Sequence, residues 1–132
     1  MKLNNRNIKF IVLHCTATPQ NTTIQSIRNY WKNVLKWKSV GYHYIIDAKG
    51  NITQLSDESK PTNGVAGFNA NSIHVSYIGG QKTDDRTPDQ KYALKVIVHD
   101  LKKRYPDAIV QGHRDFGAKK ACPQFNAKDE FK

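Results

Sequence analysis

Residues 8 to 14, Ile-Lys-Phe-Ile-Val-Leu-His, are apolar at nearly every position. A strand with one wet face alternates apolar and polar residues, whereas a strand covered on both faces does not. This segment therefore predicts a central strand sandwiched between two layers, which restricts the chain to layered folds. The period then changes. Thr22 and Gln25 form a candidate capping box, and Ile24, Ile27, Trp31 and Leu35 recur at helical spacing over 22–37. "SVGYHYIID" returns to strand character, and Lys49-Gly50-Asn51 reads as the turn of a hairpin into a short strand at 51–55.

Residues 56–72 are loop-like, and "IHVSYI" at 73–78 is a further strand stopped by Gly79-Gly80. Thr87, Pro88 and Gln90 open a second helix. Its apolar face is Leu94, Ile97, Val98, Leu101 and Tyr105, and Pro106 ends it. "AIVQGH" is the last strand, followed by an irregular tail with a short helical turn near its end. The order is strand, helix, strand, strand, strand, helix, strand. That order predicts an α/β fold: a central mixed sheet of about five strands flanked by helices. The 132 residues contain no internal repeat and are read as one domain, 1–132.

The formal net charge of +10 favours a polyanionic partner such as nucleic acid, acidic lipid or an anionic cell wall. The basic residues are scattered over helix faces, and no nucleic-acid motif accompanies them, so no nucleic-acid function is expected. No apolar run approaches the length of a membrane span, and no membrane partner is expected. The first residues lack the apolar core and cleavage site of a signal peptide. The chain is therefore expected in the cytoplasm at synthesis, and as a monomer.

In layered sheets, ligands and nucleophiles gather at strand ends. His14 ends the first strand, His113 ends the last, and Cys122 follows after a loop. If those strands are neighbours, two imidazoles and a thiolate can meet. Three protein ligands with a fourth position open is the arrangement of a catalytic zinc. Taken singly, each residue has an ordinary structural explanation, and no HExxH or paired CxxC supports a metal site. A Cys-His nucleophile pair, with Cys15 or Cys122 attacking and His113 as base, remains an alternative. Cys15, next to His14, should point to the opposite side of its strand and serve as packing.

"VLHCTAT", "GYHYIID", "GFNANSIHVSYIGG", "TPDQKYAL", "GHRDF" and "KACPQF" occur in one order over nearly the whole chain. Together they resemble the zinc-dependent N-acetylmuramoyl-L-alanine amidases of the phage-lysozyme and peptidoglycan-recognition-protein type (amidase type 2). The resemblance implies one Zn²⁺ per chain, held by His14, His113 and Cys122. It places Tyr42 and Lys120 where the family has a catalytic tyrosine and a catalytic lysine. It implies a peptidoglycan substrate. A zinc-activated hydroxide would cleave the amide between the lactyl group of N-acetylmuramic acid and L-alanine of the stem peptide. The compact form and missing signal resemble a phage or prophage endolysin acting on the wall after release. The alternative is a non-catalytic peptidoglycan-binding protein of the same fold, against which Cys122, Tyr42 and Lys120 all speak.

Two positions depart from the family. The loop "TNGVAGFNANS" carries Val65 and Ala66 and lacks the histidine many relatives have there, and His74 stands where many have a small residue. His74 is expected to be a tolerated strand residue. Asp115 is expected to orient a metal ligand or to pair with a neighbouring charge. His43 should face away from Tyr42 by strand alternation, and His99 should lie on the helix surface.

Overall fold

The unbroken apolar run near the start of the chain sits where its composition requires. The computed structural model describes residues 6–117 and 121–132. Strand β1 (Phe10–Cys15) lies between β4 (Ser72–Tyr77) and β5 (Ile109–Gly112), parallel to both. Strand β2 (Tyr44–Ile46) runs parallel to β4, and β3 (Ile52–Gln54) is antiparallel to β2. The spatial order is β3-β2-β4-β1-β5, a mixed five-stranded sheet. Ile11, Val12 and Leu13 have no exposure, as expected for a strand covered on both faces.

Helix α2 (Pro88–Arg104) covers one face. Its Leu94, Ile97, Val98 and Leu101 pack with Ile11, Leu13, Ile73, Val75 and Tyr77. Thr87 accepts from the Gln90 N–H at 3.1 Å while the Gln90 side chain accepts from the Thr87 N–H at 2.9 Å, completing the capping box. Leu101 is fully buried, and its truncation to Ala would cost about 2–5 kcal/mol. Helix α3 (Ala127–Glu130) closes the same core. It is held by Arg86, which pairs with Asp84 and Glu130, each at 2.8 Å, and lies 3.5 Å from the Phe125 ring centre.

The other face is thinner. Ile27, Trp31, Ile45 and Ile78 form its core, under α1 (Ile24–Asn29). Here the sequence reading needs correction. The N-cap is Thr23, which accepts from Ser26 N–H at 3.1 Å, because Thr22 closes a turn onto Pro19 at 3.2 Å. The regular helix stops at Asn29 and continues as a wide π turn over Tyr30–Val34, with Leu35 N–H bonded to Tyr30 O at 3.0 Å. Trp31 and Trp37 stack at 6.4 Å, and a Cβ on Gly41 would lie 2.9 Å from the Trp31 ring.

Two half-buried polar clusters tie the loop before β4 to the frame. Glu58 accepts from Arg104 Nη2 at 2.5 Å, from Tyr105 at 2.7 Å and from Tyr44. Burial alone would raise its pKa, but these donors outweigh it and hold Glu58 below the ordinary value. Arg6 donates to the carbonyl oxygens of Glu58 (2.8 Å), Lys60 (3.1 Å), Asn69 (2.7 Å) and Ser72 (2.8 Å). No helix among the described residues is long and apolar enough to cross a membrane.

Candidate metal centre

Because Ile11, Leu13 and Cys15 face α2, alternation turns Val12 and His14 to the opposite face. The β1–β5 register pairs Leu13 with Gly112, so His113 emerges beside His14. Their ring centres are 4.9 Å apart. A 3-10 turn over His113–Phe116 carries His113, and Asp115 accepts from the Gly112 N–H at 2.8 Å. Asp115 thus braces the turn that presents His113 through the backbone N–H of Gly112.

Cys122 reaches the same place through a pinned loop. Its carbonyl accepts from Arg114 N–H at 2.9 Å, and Tyr77 donates to Pro123 O at 2.8 Å. Gly112 makes room: a Cβ there would lie 2.6 Å from Pro123 Cδ. Cys122 Sγ stands 3.9 Å from His14 Nδ1. One ligand atom from each of His14, His113 and Cys122 lies within 4.8 Å of the others. Two imidazole nitrogens and one sulfur, converging with no fourth His, Cys or carboxylate donor in the group among the described residues, suit a zinc site with an open position.

The surroundings adjust the electrostatics. The Cys15 N–H donates to Cys122 Sγ at 3.2 Å, which favours the thiolate. Cys15 itself is buried, with Sγ 3.8 Å from Gly80 O. Its thiol pKa is lowered first by the neighbouring Cys122 side chain, against the opposing effect of burial. Cys15 therefore serves the site through its backbone while its side chain joins the core.

Tyr42 lies over His14, ring centres 5.0 Å apart, and its hydroxyl is 3.4 Å from Cys15 O. Burial, then the nearby Cys122, pushes its pKa above the ordinary tyrosine value, so the phenol stays protonated. Tyr42 and His43 both contact residues of the groove face, contrary to the expectation from alternation. Strand β2 begins only at Tyr44, and the preceding residues bend. His43 is fully buried: its Nδ1 accepts from His74 N–H at 3.0 Å, and its Nε2 lies 2.7 Å from Lys60 O. Burial pushes its pKa down to about 4.

His74 was the residue sequence reasoning undervalued. It is fully buried, with its Nδ1 2.9 Å from His14 Nε2 and its Nε2 2.8 Å from Asn69 Oδ1. Burial, then the nearby His43, pushes its pKa down to about 3. The signal available in sequence was parity: His74 sits on the face opposite Ile73 and Val75, the face His14 occupies. His99 is exposed on α2. Lys120 lies outside the described residues.

The three candidate ligands line a groove of about 740 Å³ together with Thr16, Thr18, Tyr30, Trp31, Tyr42 and Gly64. The chain matches the N-acetylmuramoyl-L-alanine amidase family over residues 4–125. It is 35% identical over 121 residues to the endolysin of Enterobacteria phage K11, covering 86% of this chain and 79% of that protein. The endolysin of Thermus phage Ph2119 superposes with a TM-score of 0.84 at 25% identity, covering 92% of this chain and 80% of that one. The amidase LysCS from Clostridium intestinale superposes at 0.83 with 27% identity, over 95% and 80% of the two chains. The motif series, the mixed sheet and the match across 4–125 agree: the chain belongs to the N-acetylmuramoyl-L-alanine amidase family.

Proposed function

We propose that the whole chain, 1–132, is a monomeric peptidoglycan amidase domain in which His14, His113 and Cys122 hold one zinc ion and Tyr42 and Lys120 serve catalysis. The bond cleaved joins the lactyl group of N-acetylmuramic acid to L-alanine of the stem peptide. The observation that carries this reading is the convergence of three ligand atoms within 4.8 Å in the lining of a groove. When bound, zinc lowers the pKa of a water toward neutrality and polarises the scissile carbonyl.

The chain's own groups do the rest. Overall, water adds to the carbonyl carbon, the C–N bond breaks, and the departing amine takes a proton. Tyr42 remains a phenol; its O–H, which meets Cys15 O at 3.4 Å, would turn into the groove to position water or to protonate the amine. Lys120, two residues before Cys122, supplies positive charge for the developing oxyanion. The Cys15 N–H keeps Cys122 competent as a thiolate ligand. The stacked Trp31 and Trp37 give the groove a rigid apolar wall for substrate. The net charge of +10 suits an anionic cell wall. In biological terms the chain acts as a phage or prophage endolysin, made in the cytoplasm and acting on the wall after release.

Mass spectrometry of digested peptidoglycan, with and without chelator, tests this reading. The expected result is stem peptides with a free L-alanine amino group, released by the zinc-loaded protein and absent after chelation. Cleavage that survives chelation, or cleavage at another bond, would overturn it.

A further inference from the structure

The groove loop and strand β4 meet at one contact that fixes the protonation pattern of the metal centre. Asn69 Oδ1 accepts from two backbone donors, Gly64 N–H at 3.1 Å and Val65 N–H at 2.8 Å. Only the oxygen of the amide can do so, which sets the orientation of Asn69. The third group on that oxygen is His74 Nε2 at 2.8 Å, which must therefore donate. A neutral imidazole carries a single N–H, so His74 Nδ1 is left as an acceptor. It lies 2.9 Å from His14 Nε2, which must donate in turn. His14 then has its lone pair on Nδ1, the atom that faces Cys122 Sγ at 3.9 Å.

The ring of His74 is admitted by a missing side chain. A Cβ on Gly64 would fall 2.3 Å from His74 Nδ1 and 2.4 Å from Cγ and Cε1. Any larger residue at 64 would occupy the space the imidazole fills. Two sequence features that look unrelated, a glycine in the groove loop and a histidine on β4, are thus two sides of one contact. Behind it, the His43 ring stacks on His74 at 6.1 Å and 16°, and His43 Nδ1 takes the His74 backbone N–H.

We infer that His74 is a positioning residue for the metal centre: pinned by Asn69 and admitted by Gly64, it holds His14 with its proton on Nε2 and its Nδ1 lone pair toward His113 and Cys122. The inference rests on those three residues binding zinc. Outer partners of a ligating histidine fix its tautomer and orientation and typically change metal affinity 10–100-fold.

Zinc dissociation constants, measured by competition with a chromophoric chelator, test the role. His74→Leu keeps bulk and loses the acceptor, and should weaken zinc by about 10–100-fold. His74→Asn places an amide oxygen near the former Nδ1 position and should recover most of that loss. Gly64→Ala should weaken zinc much as His74→Leu does, by expelling the ring. Wild-type affinity in His74→Leu, or equal loss in the Asn and Leu variants, would overturn the inference. A second measurement uses the zinc-loaded wild-type protein and needs no variant. Nitrogen-15 NMR should show a coupling across the hydrogen bond from protonated His14 Nε2 to His74 Nδ1. An Nε2 proton without that coupling, exchanging freely with water, would equally overturn it. Neither readout involves hydrolysis. Tight zinc with the coupling but no cleaved peptidoglycan would sink the proposed reaction and leave this inference standing.

Discussion

Gly112 and Pro123 touch so closely that neither can be enlarged: a Cβ on Gly112 would stand 2.6 Å from Pro123 Cδ. Pro123 follows Cys122 directly, so the contact sets how near the thiol comes to the two imidazoles. Gly112→Ala should push the loop outward. The expected results are a loss of about 1–3 kcal/mol in thermal unfolding from overpacking and zinc binding about tenfold weaker. Calorimetry and chelator competition check the two separately, and unchanged zinc affinity would show that the loop absorbs the methyl group elsewhere.

Tyr42→Phe removes the phenol while leaving the ring against His14 and Trp31. If the hydroxyl serves proton transfer, kcat should fall about 10²–10⁴-fold with zinc affinity unaltered. A fall in zinc affinity, with kcat per bound zinc unchanged, would mark Tyr42 as a packing residue instead.

Lys120→Ala should lower kcat by about 10²–10³-fold, the usual cost of losing one oxyanion-stabilising group. Lys120→Arg should restore part of it by keeping the charge. Steady-state release of stem peptides from soluble wall fragments measures both. Equal rates in wild type and Lys120→Ala would assign the oxyanion to other donors.

His43 makes stability depend on pH in a defined window. Its folded pKa is about 4, below the ordinary 6.5, mainly through burial, with Arg6 opposing and Lys60 O, Glu58 and Asp57 favouring the proton. Between those values the unfolded chain binds a proton that the folded chain refuses. Stability should therefore fall as pH drops from about 6.5 to about 4 and level off below, by on the order of 3 kcal/mol for this group. Denaturant titrations across that range, repeated with His43→Asn, should show a shallower slope in the variant. Parallel curves would assign the pH dependence to other groups, buried His74 and the carboxylates among them.

The fold was legible where hydrophobic period and local chemistry agree. Helix α2 announced itself through Thr87, Pro88, Gln90 and an apolar face, and β1 through its unbroken apolar run. Reading failed where tertiary contact overrides local pattern. The helical period placed Trp31 and Leu35 on one face, but the π turn at Tyr30–Val34 buries Trp31 and leaves Leu35 exposed. Tyr42 and His43 escaped alternation because the strand starts after them. At the site, His14, His113 and Cys122 were nameable as donors at strand ends and in a nearby loop. Their convergence depends on β1 and β5 being neighbours, which sequence spacing does not state. His74 was harder still, since its meaning lies in a loop glycine and an amide whose orientation is set by two backbone donors.

Arg6 gathers four carbonyl oxygens from residues 58 to 72, the span that includes Gly64 and Asn69. A single guanidinium thus acts as the keystone of one bank of the cleft, although it precedes β1 in the chain. Gly64, on that bank, lines the groove, and Asn69 holds His74, which in turn touches His14. A cut, tag or fusion that disturbs residue 6 should therefore loosen the span that carries Gly64 and Asn69.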